Sequence, residues 1–220
     1  MQRLTSIVAV NEDGVIGCGN ALPWRLKTDM RFFRETTSGN AVLMGRKTFD
    51  SLGRKCLPKR FNIVISHTFG LFVEGAECRS ATGIEDALFR ATLAPKRFKH
   101  VYVIGGASMY EQFAPYVDRY LITLVQKDVP DGDTFFDQSF LGDPDAWQIT
   151  ELSKVGADSD NEAAFAIFEV LARDPQPFAE RRAAAIESAR SASMRSTSSR
   201  HQAAPPARSS REESPTYSML

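Results

Sequence analysis

The residue best placed to do chemistry is Asp29. Phe32 and Phe33 follow it at i+3 and i+4, positions that share a helix face with it. A carboxylate among aromatic neighbours is partly desolvated, which raises its pKa and suits it to bind or protonate a cationic heterocycle. Taken alone, an acid in a first helical turn is more simply explained by the helix dipole. Gly45-Arg46-Lys47-Thr48 sets two cations and a hydroxyl behind an apolar run, a pattern that suits phosphate. Ser66-His67-Thr68 follows another such run and is placed to complete that site. Gly105-Gly106 ends a further run, where paired glycines let backbone approach a ligand closely or simply make a tight turn. The full G-x-G-x-x-G fingerprint is absent. Asn20-Ala21-Leu22-Pro23-Trp24 lies in a stretch of little periodicity, as functional loops and plain connectors both do. Arg60, after Leu57-Pro58-Lys59, is a lone cation, a type most often solvated.

These groups need a frame. Short apolar runs at 7–10, 41–44, 62–66 and 101–104 read as buried strands. Lys27–Thr37, 48–52 and 108–116 have helical composition. Ile84, Ala87, Leu88 and Ala91 recur at helical spacing. Three strands without intervening helices follow at 120–125, Trp147–Val155 and 164–171. Alternation first and consecutive strands last predict an α/β sheet, parallel in its centre, with an antiparallel C-terminal edge. Ligands of such sheets bind outside the carboxyl ends of the parallel strands. Arg46, Ser66 and Gly105 all fall at those ends.

Of 220 residues, 43% are hydrophobic, enough for one sizeable core. Lys and Arg number 27 against 27 Asp and Glu, so the chain as a whole has no charge for nucleic acid. That balance conceals a division. Seven arginines against four glutamates leave residues 175–220 at +3 and residues 1–174 at −3. Ten Ser, nine Ala and five Pro, with few large apolar residues, predict a disordered tail from 175, with a transient helix from Phe178 to about Ala192. The folded domain is therefore expected to span 1–174. No run is apolar enough to span a bilayer, and the N-terminus has no signal-peptide pattern. Cys18, Cys56 and Cys78 are an odd set at uneven spacing, which fits reduced thiols. The three histidines have no metal-ligand spacing, and no metal is expected.

Individually these signals are weak; their order is specific. In turn come Val8-Ala9, Val15-Ile16-Gly17, Asn20-Ala21-Leu22-Pro23-Trp24 and Asp29-Met30-Arg31-Phe32-Phe33. Then come Val42-Leu43-Met44-Gly45-Arg46-Lys47-Thr48-Phe49, Leu57-Pro58-Lys59-Arg60, Val103-Ile104-Gly105-Gly106, Tyr110, Thr123 and Gly132-Asp133-Thr134. From about residue 5 to residue 173 the chain resembles dihydrofolate reductase, of the bacterial type because aspartate stands at 29.

The resemblance implies an α/β fold: a mixed eight-stranded sheet, mostly parallel with an antiparallel C-terminal strand, and four flanking helices. It implies transfer of hydride from NADPH to C6 of 7,8-dihydrofolate, giving tetrahydrofolate. Asp29 would hold the pterin and promote protonation of N5, with Thr123 supporting its hydrogen bonds and Leu22 and Trp24 beside it. Ile7, Ala9, Phe33, Leu52, Leu57 and Ile104 would pack on the pterin and p-aminobenzoyl rings. Arg60 would pair with the α-carboxylate of the glutamate tail.

Ala9, Ile16, Asn20 and Leu22 match positions around the nicotinamide. Gly45, Gly105 and Gly106 match close-approach positions, the last two joined by a cis peptide in the family. Ala107, Ser108, Met109 and Tyr110 match the pyrophosphate site. Arg46, Lys47, Thr48, Ser66 and His67 match the adenosine phosphate site, and their cations favour NADPH over NADH. Residues 11–25 match the loop that closes over the nicotinamide. A cytoplasmic monomer without membrane contact is expected.

There are departures. The chain is one residue longer than the shortest members around Lys55-Cys56, Leu22 replaces a methionine of some relatives, 69–80 aligns poorly, and the tail has no counterpart. Two other readings stay open: an NADPH-dependent reductase of another heterocycle, of the riboflavin-pathway type, and a binding protein acting through the arginine-rich tail, which is the only part suited to nucleic acid.

Overall fold

The computed structural model describes residues 3–66 and 77–201, with side chains as far as Arg195. In chain order the elements are β1 (Leu4–Asn11), β2 (Val15–Gly17), α1 (Lys27–Thr37), β3 (Ala41–Gly45) and α2 (Arg46–Ser51). Next come β4 (Phe61–Ile65), β5 (Cys78–Ala81), α3 (Ile84–Thr92), β6 (Val101–Val103) and α4 (Ala107–Phe113). Last come β7 (Arg119–Val125), β8 (Thr134–Phe135), β9 (Trp147–Val155), β10 (Phe165–Ala172) and α5 (Gln176–His201).

Eight strands form one sheet in the order β5-β4-β3-β6-β1-β7-β10-β9. β5 through β7 in that order pair in parallel, and β10 runs antiparallel to both of its neighbours. β2 and β8 form a separate ribbon. The expected mixed sheet is thus present. β2, β5 and β8 lie in segments with no apolar run to signal them.

Alternation along the strands sorts side chains into two layers. Leu4, Val8, Val10, Leu43, Ile63 and Val103 face α3 and α4 and pack with Leu88, Met109 and Phe113. Ile7, Val42, Met44, Val64 and Tyr102 face the opposite way and pack with Phe49 of α2 and with Phe32 and Phe33 of α1. A third cluster gathers Trp24, Leu26, Val125, Phe165 and Ile167.

Register matters for the site. β1 pairs with β6 only from Leu4 to Ser6, but with β7 as far as Asn11, and Ala9 lies opposite Thr123. Where β6 has ended, the Tyr110 hydroxyl donates to the Ile7 carbonyl at 2.8 Å.

Two expectations are corrected here. The chain from 175 is not a disordered appendage over its first half, because α5 is packed into the fold. Phe178 meets Trp147 at 5.7 Å between ring centroids, and Ala185 is buried. Arg182, 2% exposed, donates from Nη1 to the Tyr116 carbonyl at 2.6 Å and from Nη2 to Asp118 at 3.0 Å. Ser188 donates to Glu85 of α3 at 2.9 Å. Phe178, Arg182, Ala185 and Ile186 recur at helical spacing, but a charge occupies one core position and an alanine at another supplies little area, so composition alone hid the seam. The folded unit extends past 174, with five α-helices among the described residues, and Arg182 is turned inward, away from any nucleic acid. The second correction concerns the thiols. Cys56 and Cys78 form a disulfide, 6.4 Å apart at Cα, and Cys18 alone is free. The spacing gave no sign of it. Asn62 brings the two segments together by accepting from the Leu57 N–H and donating to the Glu77 carbonyl.

Candidate active site

Asp29 sits in the first turn of α1, and the start of that helix is held from outside. The amide of Lys27 donates to the Asp160 carbonyl, and that of Thr28 to Oδ1 of Asn161 at 3.1 Å. Asn161 is itself buried and lies in the loop between β9 and β10. Fixed in this way, Asp29 turns toward the sheet and is 8% exposed. It accepts a 2.6 Å hydrogen bond from the Thr123 hydroxyl of β7. Burial raises its pKa above the ordinary aspartate value, and the Thr123 bond works against that rise. Among the described residues no cation pairs with it. A buried carboxylate left in this state is poised to take up a proton or to pair with a cationic ligand.

Around it the expected apolar wall is largely assembled. Ile7 is buried, and Phe33, Leu57 and Ile104 pack on the same cluster. Ala9 lies beside Thr123 across the β1–β7 ladder and joins the Trp24 cluster. Trp24 is buried, and its indole N–H has no partner among the described residues. Leu52 stands at the rim, 36% exposed.

Arg60 is not the solvated cation its sequence suggests. It is 4% exposed, donating from Nε to the Thr37 hydroxyl at 2.8 Å, from Nη1 to the Pro58 carbonyl at 2.8 Å and from Nη2 to the Arg34 carbonyl at 3.0 Å. Its guanidinium lies 5.9 Å from the Phe33 ring centroid. Burial, then the Arg34 charge, lowers its pKa from a very high starting value. Asn62, fully buried at the second position of β4, exchanges hydrogen bonds with both backbone groups of Leu57 and so shapes the approach to Arg60.

A second cradle lies at the β3–α2 and β6–α4 junctions. The Gly45 amide donates to the Gly105 carbonyl at 2.8 Å, and the Gly105–Gly106 peptide is cis. Gly105 has φ +123°, and a Cβ there would come 3.3 Å from the Thr48 hydroxyl. Only glycine suits that position. Arg46 and Lys47 are exposed at the start of α2, and the Ser66 amide donates to Ala81 of β5. Ala107 and Ser108 open α4, whereas Met109 and Tyr110 are buried in the core beneath the cradle. His67 lies outside the described residues.

The 11–25 stretch folds back on itself through paired bonds between Cys18 and Ala21. The Gly19 amide donates to Asp133 at 2.8 Å. Ile16 is half-buried against the core, but Asn20 is exposed with φ +64° and Leu22 is 54% exposed, so these two are not gathered against Asp29. Sequence reasoning missed Thr37, Asn62 and Asn161, the residues that hold Arg60, Leu57 and α1. Asn62 carried a readable signal, a polar residue inside a strand of otherwise buried apolar type.

Comparison with known proteins agrees with this geometry. The family model described as "Dihydrofolate reductase" matches residues 3–173. The dihydrofolate reductase of Haemophilus influenzae is 41% identical over 133 residues, 60% of this chain and 77% of the relative. Dihydrofolate reductase type 9 of Escherichia coli is 34% identical over 182 residues, 82% of this chain and 98% of the relative. The structure of Enterococcus faecalis dihydrofolate reductase complexed with NADP(H) and RAB-propyl superimposes with a TM-score of 0.66 at 28% identity, covering 78% of this chain and 97% of that one. The fold and site define an NADPH-dependent oxidoreductase. The chain belongs to the dihydrofolate reductase family.

Proposed function

We propose that this chain reduces 7,8-dihydrofolate to tetrahydrofolate with Asp29 as the group that binds the pterin and directs its protonation. The single observation that carries this reading is a buried carboxylate whose only polar side-chain partner among the described residues is the Thr123 hydroxyl. A pterin edge presents paired N–H donors, which a carboxylate binds through both oxygens. The raised pKa lets Asp29 hold a proton closer to neutrality than an ordinary aspartate, and so favours proton delivery toward N5 of the bound ring. Thr123 fixes one carboxylate oxygen and leaves the other for substrate. The orphan N–H of Trp24 is a donor for substrate or an ordered water. Ile7, Phe33, Leu57 and Ile104 form the apolar wall that excludes water from the ring, and Leu52 closes its rim. Arg60, held by Thr37, Pro58 and Arg34, is set to receive the α-carboxylate of the glutamate tail.

The glycine cradle at Gly45, Gly105 and Gly106 fits a dinucleotide, because a side chain at Gly105 would fill the space beside Thr48. NADPH, when bound, supplies the hydride. Ala107 and Ser108 would hold its pyrophosphate, and Arg46, Lys47, Thr48 and Ser66 its adenosine phosphate. Ala9 and Ile16 would border the nicotinamide. Asn20 and Leu22 would reach it as the loop closes. Among the described residues no helix is long and apolar enough to cross a membrane and no acidic, His or Cys cluster suits a metal. We place the enzyme in the cytoplasm as a monomer. Purified protein is expected to oxidise NADPH only when dihydrofolate is added. Absence of turnover at micromolar enzyme would defeat the reading.

A further inference from the structure

The loop from Asn11 to Arg25 is fastened at both ends by one residue, Lys127, which lies just beyond β7. At the loop's start, the Asn11 side chain donates to the Lys127 carbonyl at 3.2 Å, while its Oδ1 accepts from the Val15 amide at 2.8 Å. At the loop's end, Nζ of Lys127 donates to the Pro23 carbonyl at 2.7 Å. The same ammonium group donates to Glu162 at 2.5 Å. Glu162 is tied in turn to this end of the loop, since its amide donates to the Arg25 carbonyl at 3.2 Å. Pro23 directly precedes Trp24, whose ring is buried and whose N–H is unpaired.

We propose that Lys127 is a positioning residue that, braced by Glu162, sets the Pro23–Trp24 segment against the substrate cavity by clasping both ends of the loop. This rests on the functional reading above. The chemistry favours a cation. A neutral donor could reach the carbonyl and the carboxylate but would hold them less firmly, since hydrogen bonds with a charged donor are about twice as strong as neutral ones. Lys127 and Glu162 are each 37% exposed at the side chain, so the clasp is open to water and can release when the loop moves.

The test uses the full chain with Lys127→Met, Lys127→Arg and Glu162→Gln. Amide hydrogen exchange and steady-state kinetics are measured on each. Lys127→Met keeps the backbone carbonyl that holds Asn11, so it is expected to speed exchange within 12–25, most of all near Pro23, while leaving α1 and the central strands unchanged. It should also raise KM for dihydrofolate about three- to ten-fold, the loss of one partly exposed charged hydrogen bond. Lys127→Arg should restore most of both, and Glu162→Gln should fall between. Unchanged exchange in 12–25 would overturn the proposal. So would faster exchange throughout the fold, which marks a merely structural role, or faster local exchange with KM unmoved. Exchange is read without turnover, so an inactive wild type would defeat the functional reading and still report on the clasp.

Discussion

Asp29 and Asp118 are both buried carboxylates, 8% and 2% exposed, and both are linked to β7. Asp118, just before the strand, is fully matched: it accepts from the Leu4 amide at 3.2 Å and from the Arg182 guanidinium at 3.0 Å. Asp29, bonded to Thr123 within the same strand, has a hydroxyl and, among the described residues, no cation. A buried charge is tolerated when it is paired and hydrogen-bonded, and otherwise its pKa moves. One acid therefore joins β1, β7 and α5 into a single structure. The other is left short of partners, which is the state its proposed role requires.

Exchanging their circumstances should break the comparison. If Asp29 carries the proton as proposed, Asp29→Asn is expected to cost turnover about 10²- to 10⁴-fold near neutral pH, the span of a general acid. Stability should move the other way. Because burial raises the folded pKa of Asp29, the folded state binds the proton more tightly than the unfolded chain, so the residue costs stability as pH rises through the window above the ordinary value. The Asn variant should melt no lower than wild type near neutrality, which calorimetry would show.

At Asp118 the effect falls on stability. Arg182→Met leaves Asp118 buried without its cation and should cost about 3–5 kcal/mol by chemical denaturation, and truncation after Asp174 removes the same ion pair together with the packing of Phe178 and Ala185. Adding Asp118→Asn to Arg182→Met should recover most of it. If truncation leaves the midpoint unchanged, α5 is an ornament after all. Arg60→Lys should raise KM for dihydrofolate about ten-fold or more through loss of fork geometry, with kcat nearly unchanged. Thr123→Val should be the mildest, about 1 kcal/mol in stability, and should push the Asp29 pKa further up because the hydroxyl now lowers it.

Much of the frame was legible in the chain. Buried parallel strands announce themselves as apolar runs, and α1 falls at Lys27–Thr37 as its composition predicts. β5, with the sequence Cys-Arg-Ser-Ala, has no such run; it is a strand because β4 offers it an edge. Asp29, Thr123 and Arg60 stand out only through the order of the motifs, since Asp29 and Arg60 each also have a bland local explanation. What could not be read were partners distant in sequence: Asn161 under α1, Thr37 and Arg34 around Arg60, Cys78 against Cys56, and Asp118 waiting for Arg182. In the last case the charge count pointed to a solvated tail, because an arginine buried on a helix face looks no different in composition from one in water.

The most direct measurement is the pH dependence of kcat/KM for dihydrofolate in wild type and Asp29→Asn. If Asp29 directs protonation, the variant's deficit should be large near neutrality and shrink steadily as pH falls and the substrate arrives already protonated. A wild-type to variant ratio that stays constant across the pH range would contradict that role.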